Sequence, residues 1–144
     1  MARRATVKPV VKHYLDLLAE EGYRPKVTPS EDDHSVVRFK SEGTAFLLFA
    51  DEDDEAFFHL ATGYELGDGV ADMAGAMSRA NDLNADYKAV KVTVHPAERS
   101  VRFHVEAFLD TPATLAVIQR SVGALRNAAR AFFEPARPAD RLDA

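Results

Sequence analysis

Thr44-Ala45-Phe46-Leu47-Leu48-Phe49-Ala50 and Ala56-Phe57-Phe58-His59-Leu60, separated by the acidic run Asp51-Glu52-Asp53-Asp54-Glu55, decide the fold. Short apolar runs rich in phenylalanine and bounded by turn formers read as strands, because aromatic side chains fit a pleated, half-buried surface. Ahead of them Ser35 to Lys40 alternates, with Val37 and Phe39 on one side and Arg38 and Lys40 on the other. Ser41-Glu42-Gly43 forms the turn between, where glycine supplies positive φ at no steric cost. Three strands joined this way, ending near Tyr64, make an antiparallel meander. The two central strands are apolar at successive positions and so on both faces, whereas a sheet wetted on one side alternates. The expectation is that both faces are roofed, by a helix of the same chain or by a second chain.

Helical spacing flanks the meander. Between Lys8 and Glu21, Val11, Tyr14, Leu15 and Leu18 fall on one helix face; Thr6 is the expected N-cap, Pro9 sits in the first turn, and Gly22 stops the helix. Tyr23 to Asp33, with Pro25 and Pro29, reads as a connection containing a short extended piece. After Gly63, Gly67 and Gly69, a helix is expected over Val70–Asp86, with Asp68 as cap and Asp72 near the positive end of its dipole. Its stripe is Val70, Met73, Met77 and Ala80, and Ala71, Ala74, Gly75 and Ala76 keep the rest small. Lys88–His95 and Ser100–Leu109 alternate as a hairpin around Pro96-Ala97-Glu98-Arg99. Thr111 and Pro112 open a last helix, whose stripe runs through Leu115, Ile118, Val122, Leu125, Ala129 and Phe132 to a stop at Pro135. The predicted class is α+β: a five-stranded antiparallel sheet with three helices in the order α-β-β-β-α-β-β-α. Residues 1–134 form one domain, and 135–144 a short disordered tail.

Composition narrows the function. A chain of 144 residues, 47% apolar and 28% charged, has the size and make-up of one globular domain. It contains no cysteine, which excludes disulfides, thiolate nucleophiles and thiolate metal sites. No secretion signal core follows Arg3 and Arg4, and no apolar run is long enough for a membrane helix, so a cytoplasmic location is expected. A formal net charge of −5 opposes general nucleic-acid binding.

Motifs for chemistry are sparse. Asp51, Asp53 and Glu55 are spaced like the opening of a calcium loop, but the glycine and glutamate such a loop needs are replaced by Ala56 and Thr62. The run reads as a solvated hairpin tip. The five histidines, His13, His34, His59, His95 and His104, show no helical zinc spacing, and no carboxylate is placed by sequence as an orienting partner, although two of them could meet across the sheet. No nucleophile elbow or phosphate loop is present. No catalytic, cofactor-binding or metal-binding residues are assigned. The methionine pair Met73 and Met77 on a small-residue helix suits a permissive binding surface.

The sequence Leu18-Ala19-Glu20-Glu21-Gly22-Tyr23, the meander through Phe46–Phe49 and Phe57–Leu60, Asn81-Asp82-Leu83-Asn84, Lys91-Val92-Thr93-Val94 and Val101-Arg102-Phe103 together resemble the YbjN-like family of bacterial sensory transduction regulators. The order of elements is similar to the type III secretion chaperone-like fold. The resemblance covers about Val7 to Phe133 and implies a protein that binds rather than catalyses. In chaperones of that layout the middle helix and the following strand build a homodimer. The implied self or partner surface here is Val70, Met73, Met77, Ala80, Lys91 and Thr93. The leading expectation is therefore a non-enzymatic protein-binding module, chaperone-like or regulatory, acting as a homodimer with a further protein partner, without cofactor, nucleic acid or membrane. The alternative is a small-ligand or hydrolytic domain around His59, His104 and Glu106.

Overall fold

The computed structural model describes residues 8–29, 34–67 and 72–134. In chain order the elements are α1 (Pro9–Glu20), β1 (Lys26–Pro29), β2 (His34–Ser41), β3 (Thr44–Asp51), β4 (Phe57–Glu65), α2 (Met73–Asp86), β5 (Val90–His95), β6 (Ser100–Phe108) and α3 (Leu115–Phe133). Among the described residues the strands form one sheet of six, ordered β1-β2-β3-β4-β6-β5, with every pairing antiparallel. The α+β class holds, but the expected count of five strands does not. The additional strand is β1, inside the stretch read as a connection. It carries one apolar residue, Val27, opposite Val37, and it lies at the sheet edge, where a proline such as Pro29 is tolerated. Four residues with little alternation leave almost no periodic signal.

Local chemistry explains most boundaries. The N–H of Gly22 (φ +88°) donates to the Ala19 carbonyl and that of Tyr23 to the Leu18 carbonyl, both at 3.0 Å, so α1 closes in a Schellman motif. Its N-cap is Lys8, without a side-chain cap; Thr6 lies outside the described residues. Glu42 (φ +49°) and Gly43 (φ +82°) both take positive φ between the paired Ser41 and Thr44, the geometry of a type I′ hairpin turn. Helix α2 begins at Met73 because Asp72 Oδ1 accepts the Ala74 N–H at 3.0 Å; the expected cap Asp68 and first residue Val70 lie outside the described residues. Helix α3 is capped by Thr114, not Thr111, and Pro112 precedes it. Tertiary contact decides that shift. The Ala113 N–H donates to the buried Tyr14 hydroxyl at 3.0 Å and its carbonyl bonds His13 Nε2 at 2.8 Å, so this backbone is committed to α1 and not to a helical turn.

All three helices pack on one face of the sheet. Tyr14 and Leu18 from α1, Ile118, Leu125 and Phe132 from α3, and Ala76 and Ala80 from α2 close over Val37, Phe39, Phe46, Leu48, Phe58, Leu60, Val101 and Phe103. Rings interlock there, with Phe39 stacked on Phe46 at 5.6 Å and Phe103 edge-on to Phe132 at 5.9 Å. The alternate residues of the same strands face away. Leu47, Phe49 and Phe57 are half-buried and Phe108 is 88% exposed, and among the described residues no helix of this chain lies over them. Of the two expected roofs for the second face, the described residues supply no intrachain helix.

Helix α2 also protects an edge. Asn84 Nδ2 donates to the Val92 carbonyl at 2.9 Å and its Oδ1 accepts the Val92 N–H at 2.7 Å, satisfying on edge strand β5 the pair of groups that another strand would have taken. Asn84 lies within α2, two residues before its end. Asn84→Ala strips both bonds and should lower the unfolding free energy by about 1–3 kcal/mol while promoting association through the bared β5 edge. Urea denaturation and light scattering of the variant measure the two effects. Phe103→Ala, at the centre of the core, should cost about 3–5 kcal/mol by the same denaturation assay.

Candidate functional site

Strand alternation builds a composite surface on the helix-free face. Phe57, His59 and Ala61 of β4 point to it, opposite Phe108, Glu106 and His104 of β6 respectively. On the β3 side Phe49 pairs with His59 and Leu47 with Ala61; on the β5 side Lys91 pairs with His104. Aromatic rings and a polar cluster thus share the middle of the sheet. Phe49 stacks on His59 at a centroid distance of 4.4 Å, and Phe57 packs against Phe108 at 5.4 Å.

The polar cluster is compact. His59 Nε2 lies 3.0 Å from His104 Nδ1 and 3.6 Å from Glu106 Oε1, and Lys91 Nζ donates to Glu106 Oε1 at 2.6 Å. Burial pushes the His104 imidazole from an ordinary 6.5 down to about 4, with the charge of a protonated His59 next in importance and Lys91 after it. Burial also lowers His59, partly offset by Glu106. The hydrogen bond from Lys91 holds the Glu106 carboxyl below its usual range. Near neutral pH the cluster is thus two neutral imidazoles beside an ionised carboxylate, and the ring–ring contact is a hydrogen bond from one N–H to the other ring's lone pair. One ligand atom from each of His59, His104 and Glu106 lies within 4.8 Å of the other two, so these residues could hold a metal ion. The orienting carboxylate invisible in the spacing is Glu106, set beside His59 by β4–β6 register.

At one end of the sheet the surface becomes basic. A groove of about 560 Å³ is lined by Arg24, Lys26, Arg38 and Lys40 together with Tyr23 and Phe39, and among the described residues no carboxylate lines it. Lys26 and Arg38 are direct cross-strand partners, an arrangement of like charges that costs stability. The cluster of His59, His104 and Glu106 lines neither this groove nor the shallower one around Gly63, Glu98 and Arg102.

The surface expected for self-association divides. Met77 is 51% exposed on α2, whereas Met73 packs partly against the core and Ala80 is buried in it. Val70 lies outside the described residues. Lys91 joins the histidine cluster and Thr93 Oγ1 contacts His95 Nε2 at 3.0 Å, both on the helix-free face. The helix residues and the strand residues therefore lie on opposite sides of β5. At the acidic tip, Asp51 Oδ1 accepts the N–H groups of Asp53 and Asp54 at 2.9 and 3.2 Å, a side-chain-closed turn in keeping with a hairpin tip.

Solved structures share this helix-backed antiparallel sheet. A chain of the HopA1–SchA chaperone–effector complex matches with a TM-score of 0.61 at 12% identity, covering 87% of this chain and 94% of that one. An uncharacterized protein from Methanothermobacter thermautotrophicus matches with 0.64 at 16% identity, covering 86% and 94%. YbjN from E. coli, described as "a putative transcription regulator", matches with 0.58 at 11% identity, covering 89% and 91%. No curated protein sequence matches the chain. The fold is thus one found in a chaperone–effector assembly and in YbjN itself. Over residues 15–137 the sequence fits the YbjN profile, "Putative bacterial sensory transduction regulator", and the chain belongs to that family. Among the described residues no helix is long and apolar enough to cross a membrane.

The histidine pair links stability to pH. Its imidazoles bind protons less readily folded than unfolded, so it leaves stability unchanged above about pH 6.5 and lowers it as pH falls toward 4, where only the unfolded chain takes up the proton. Glu106 acts in the same sense lower down, its contribution being present above the ordinary 4.5 and lost as the carboxylate protonates. Urea midpoints should therefore fall between pH 6.5 and 4, and His104→Asn should flatten that slope; an equally steep slope in the variant would place its origin elsewhere.

Proposed function

We propose that the chain is a non-enzymatic protein-binding module, chaperone-like or regulatory, whose partner docks on the helix-free face of the sheet. One observation carries the reading: Phe108 at 88% exposure stands with Phe57, Phe49 and Leu47 on a surface that the chain's described helices leave bare. Aromatic clusters of this kind are anchors for protein contacts, because a large ring gains much on desolvation and loses little rotamer freedom. The basic groove at the β1–β2 end favours a partner segment that combines apolar and acidic side chains. Membership of a family described as regulators, and the likeness to a chain from a chaperone–effector complex, support the same class.

Self-association is a part of this proposal, through α2 around the exposed Met77, with Met73 one turn earlier on the same helix. In the tens-of-micromolar range the chain is expected to sediment as a dimer, and Met77→Glu should return it to a monomer with unchanged far-UV circular dichroism. A wild-type monomer at that concentration removes the homodimer. Phe108→Glu tests the other surface. It should abolish capture of the specific partner by immobilised wild-type chain while leaving the sedimentation of the bait as it was; undiminished capture overturns the docking face. The hydrolytic alternative around His59, His104 and Glu106 gains their proximity, but the groove lined by Arg24, Lys26, Arg38 and Lys40 does not contain them.

A further inference from the structure

We infer that His59, His104 and Glu106 form a binding site for a borderline divalent cation of the Zn²⁺ type on the helix-free face of the sheet. The inference is independent of protein docking, since it concerns three side chains of one protomer.

Strand geometry assembles the ligands. His104 and Glu106 are two apart on β6 and so point to the same face, and His59 on β4 is the direct cross-strand partner of Glu106. Two ligands from one strand and one from its neighbour are therefore fixed by register along the antiparallel ladder that runs from Phe57↔Phe108 to Glu65↔Ser100. Sites held by strands keep their geometry better than sites held by loops. Packing fixes the rings further, with Phe49 stacked on His59 at 4.4 Å and the two histidine rings 5.2 Å apart.

The spacings suit a small ion. Two nitrogens about 2.0–2.1 Å from zinc, subtending the tetrahedral angle, stand about 3.4 Å apart. The observed 3.0 Å between the histidine nitrogens and 3.6 Å from His59 to Glu106 bracket that value, and the full set lies within 4.8 Å. An ion between them would replace the single ring–ring hydrogen bond by two nitrogen–metal bonds and one oxygen–metal bond. Two imidazoles and a carboxylate select zinc, cobalt, nickel or copper over magnesium and calcium, which require oxygen ligands. Three protein ligands leave the fourth position to water or to a group brought by a partner.

Lys91 is the competitor. Its ammonium occupies Glu106 Oε1 at 2.6 Å, and its 53% exposed side chain can withdraw into water as the ion binds. Placing one cation beside another is unfavourable, so the lysine sets the affinity without being a ligand.

Isothermal titration of untagged full-length protein with Zn²⁺, and visible absorption with Co²⁺ as the spectroscopic substitute, test the site. One equivalent should bind saturably, with a four-coordinate cobalt spectrum and a higher thermal midpoint. His59→Gln, His104→Gln and Glu106→Gln should each weaken binding at least tenfold, Lys91→Ala should tighten it, and His95→Ala, which alters a histidine outside the cluster, should leave it unchanged. If the double variant His59→Gln/His104→Gln misfolds, line broadening of the His59 and His104 ring signals by Co²⁺ in the wild type carries the test. No saturable binding, or binding that survives loss of either histidine, overturns the site.

Discussion

The structure depends on an imbalance of burial across one sheet. The three helices of the described residues cover a single face, and the core beneath them is dense with rings and branched side chains. Strands β3 and β4 nevertheless carry phenylalanine and leucine on both sides. The inward residues, Phe46, Leu48, Phe58 and Leu60, are sealed from water, and they hold the fold through the hydrophobic effect and close packing. The outward residues gain only partial cover, from one another. Their presence is not needed to close the core, and so the proposed docking surface and the stability of the fold are carried by alternate residues of the same strands.

That division shapes what the outer face can do. Polar groups on an open strand surface are normally well hydrated, but here neighbouring rings remove water from His59 and His104, and the histidines remain neutral where exposed ones would begin to protonate. Lys91 and Glu106 compensate each other beside them. The resulting patch has an aromatic centre, a compact nitrogen-and-oxygen donor set and a basic flank at Arg24, Lys26, Arg38 and Lys40.

The edges are treated differently from the faces. Asn84 blocks β5 by imitating a strand at Val92, and β1 is short and ends at a proline. Non-specific strand addition is thus disfavoured at both ends of the sheet. Among the described residues, Met77 on α2 and Phe108 on the helix-free face are the two most exposed large apolar side chains.

Much of this was legible in the residues. Period-two and helical spacing gave the α+β class, the meander and its Gly43 turn, the hairpin that follows α2, and the three helices, because each is governed by interactions within a few residues. The same local rules misplaced the start of α3 by three positions. Thr111-Pro112 is a sound helix opening in isolation, and only the bonds from Ala113 to Tyr14 and His13, about a hundred residues earlier, move the cap to Thr114. Strand β1 was legible only as a short extended piece and not as a sheet strand for a related reason, since its identity lies in pairing with β2 and not in its own pattern. His59, His104 and Glu106 could be named from sequence as dispersed candidates, yet their meeting is a matter of β4–β6 register, which no spacing along the chain encodes. Whether the second face of the sheet has an intrachain roof was likewise a tertiary decision: composition can demand that apolar surface be covered, but only the packing of helices in space determines which side they leave open.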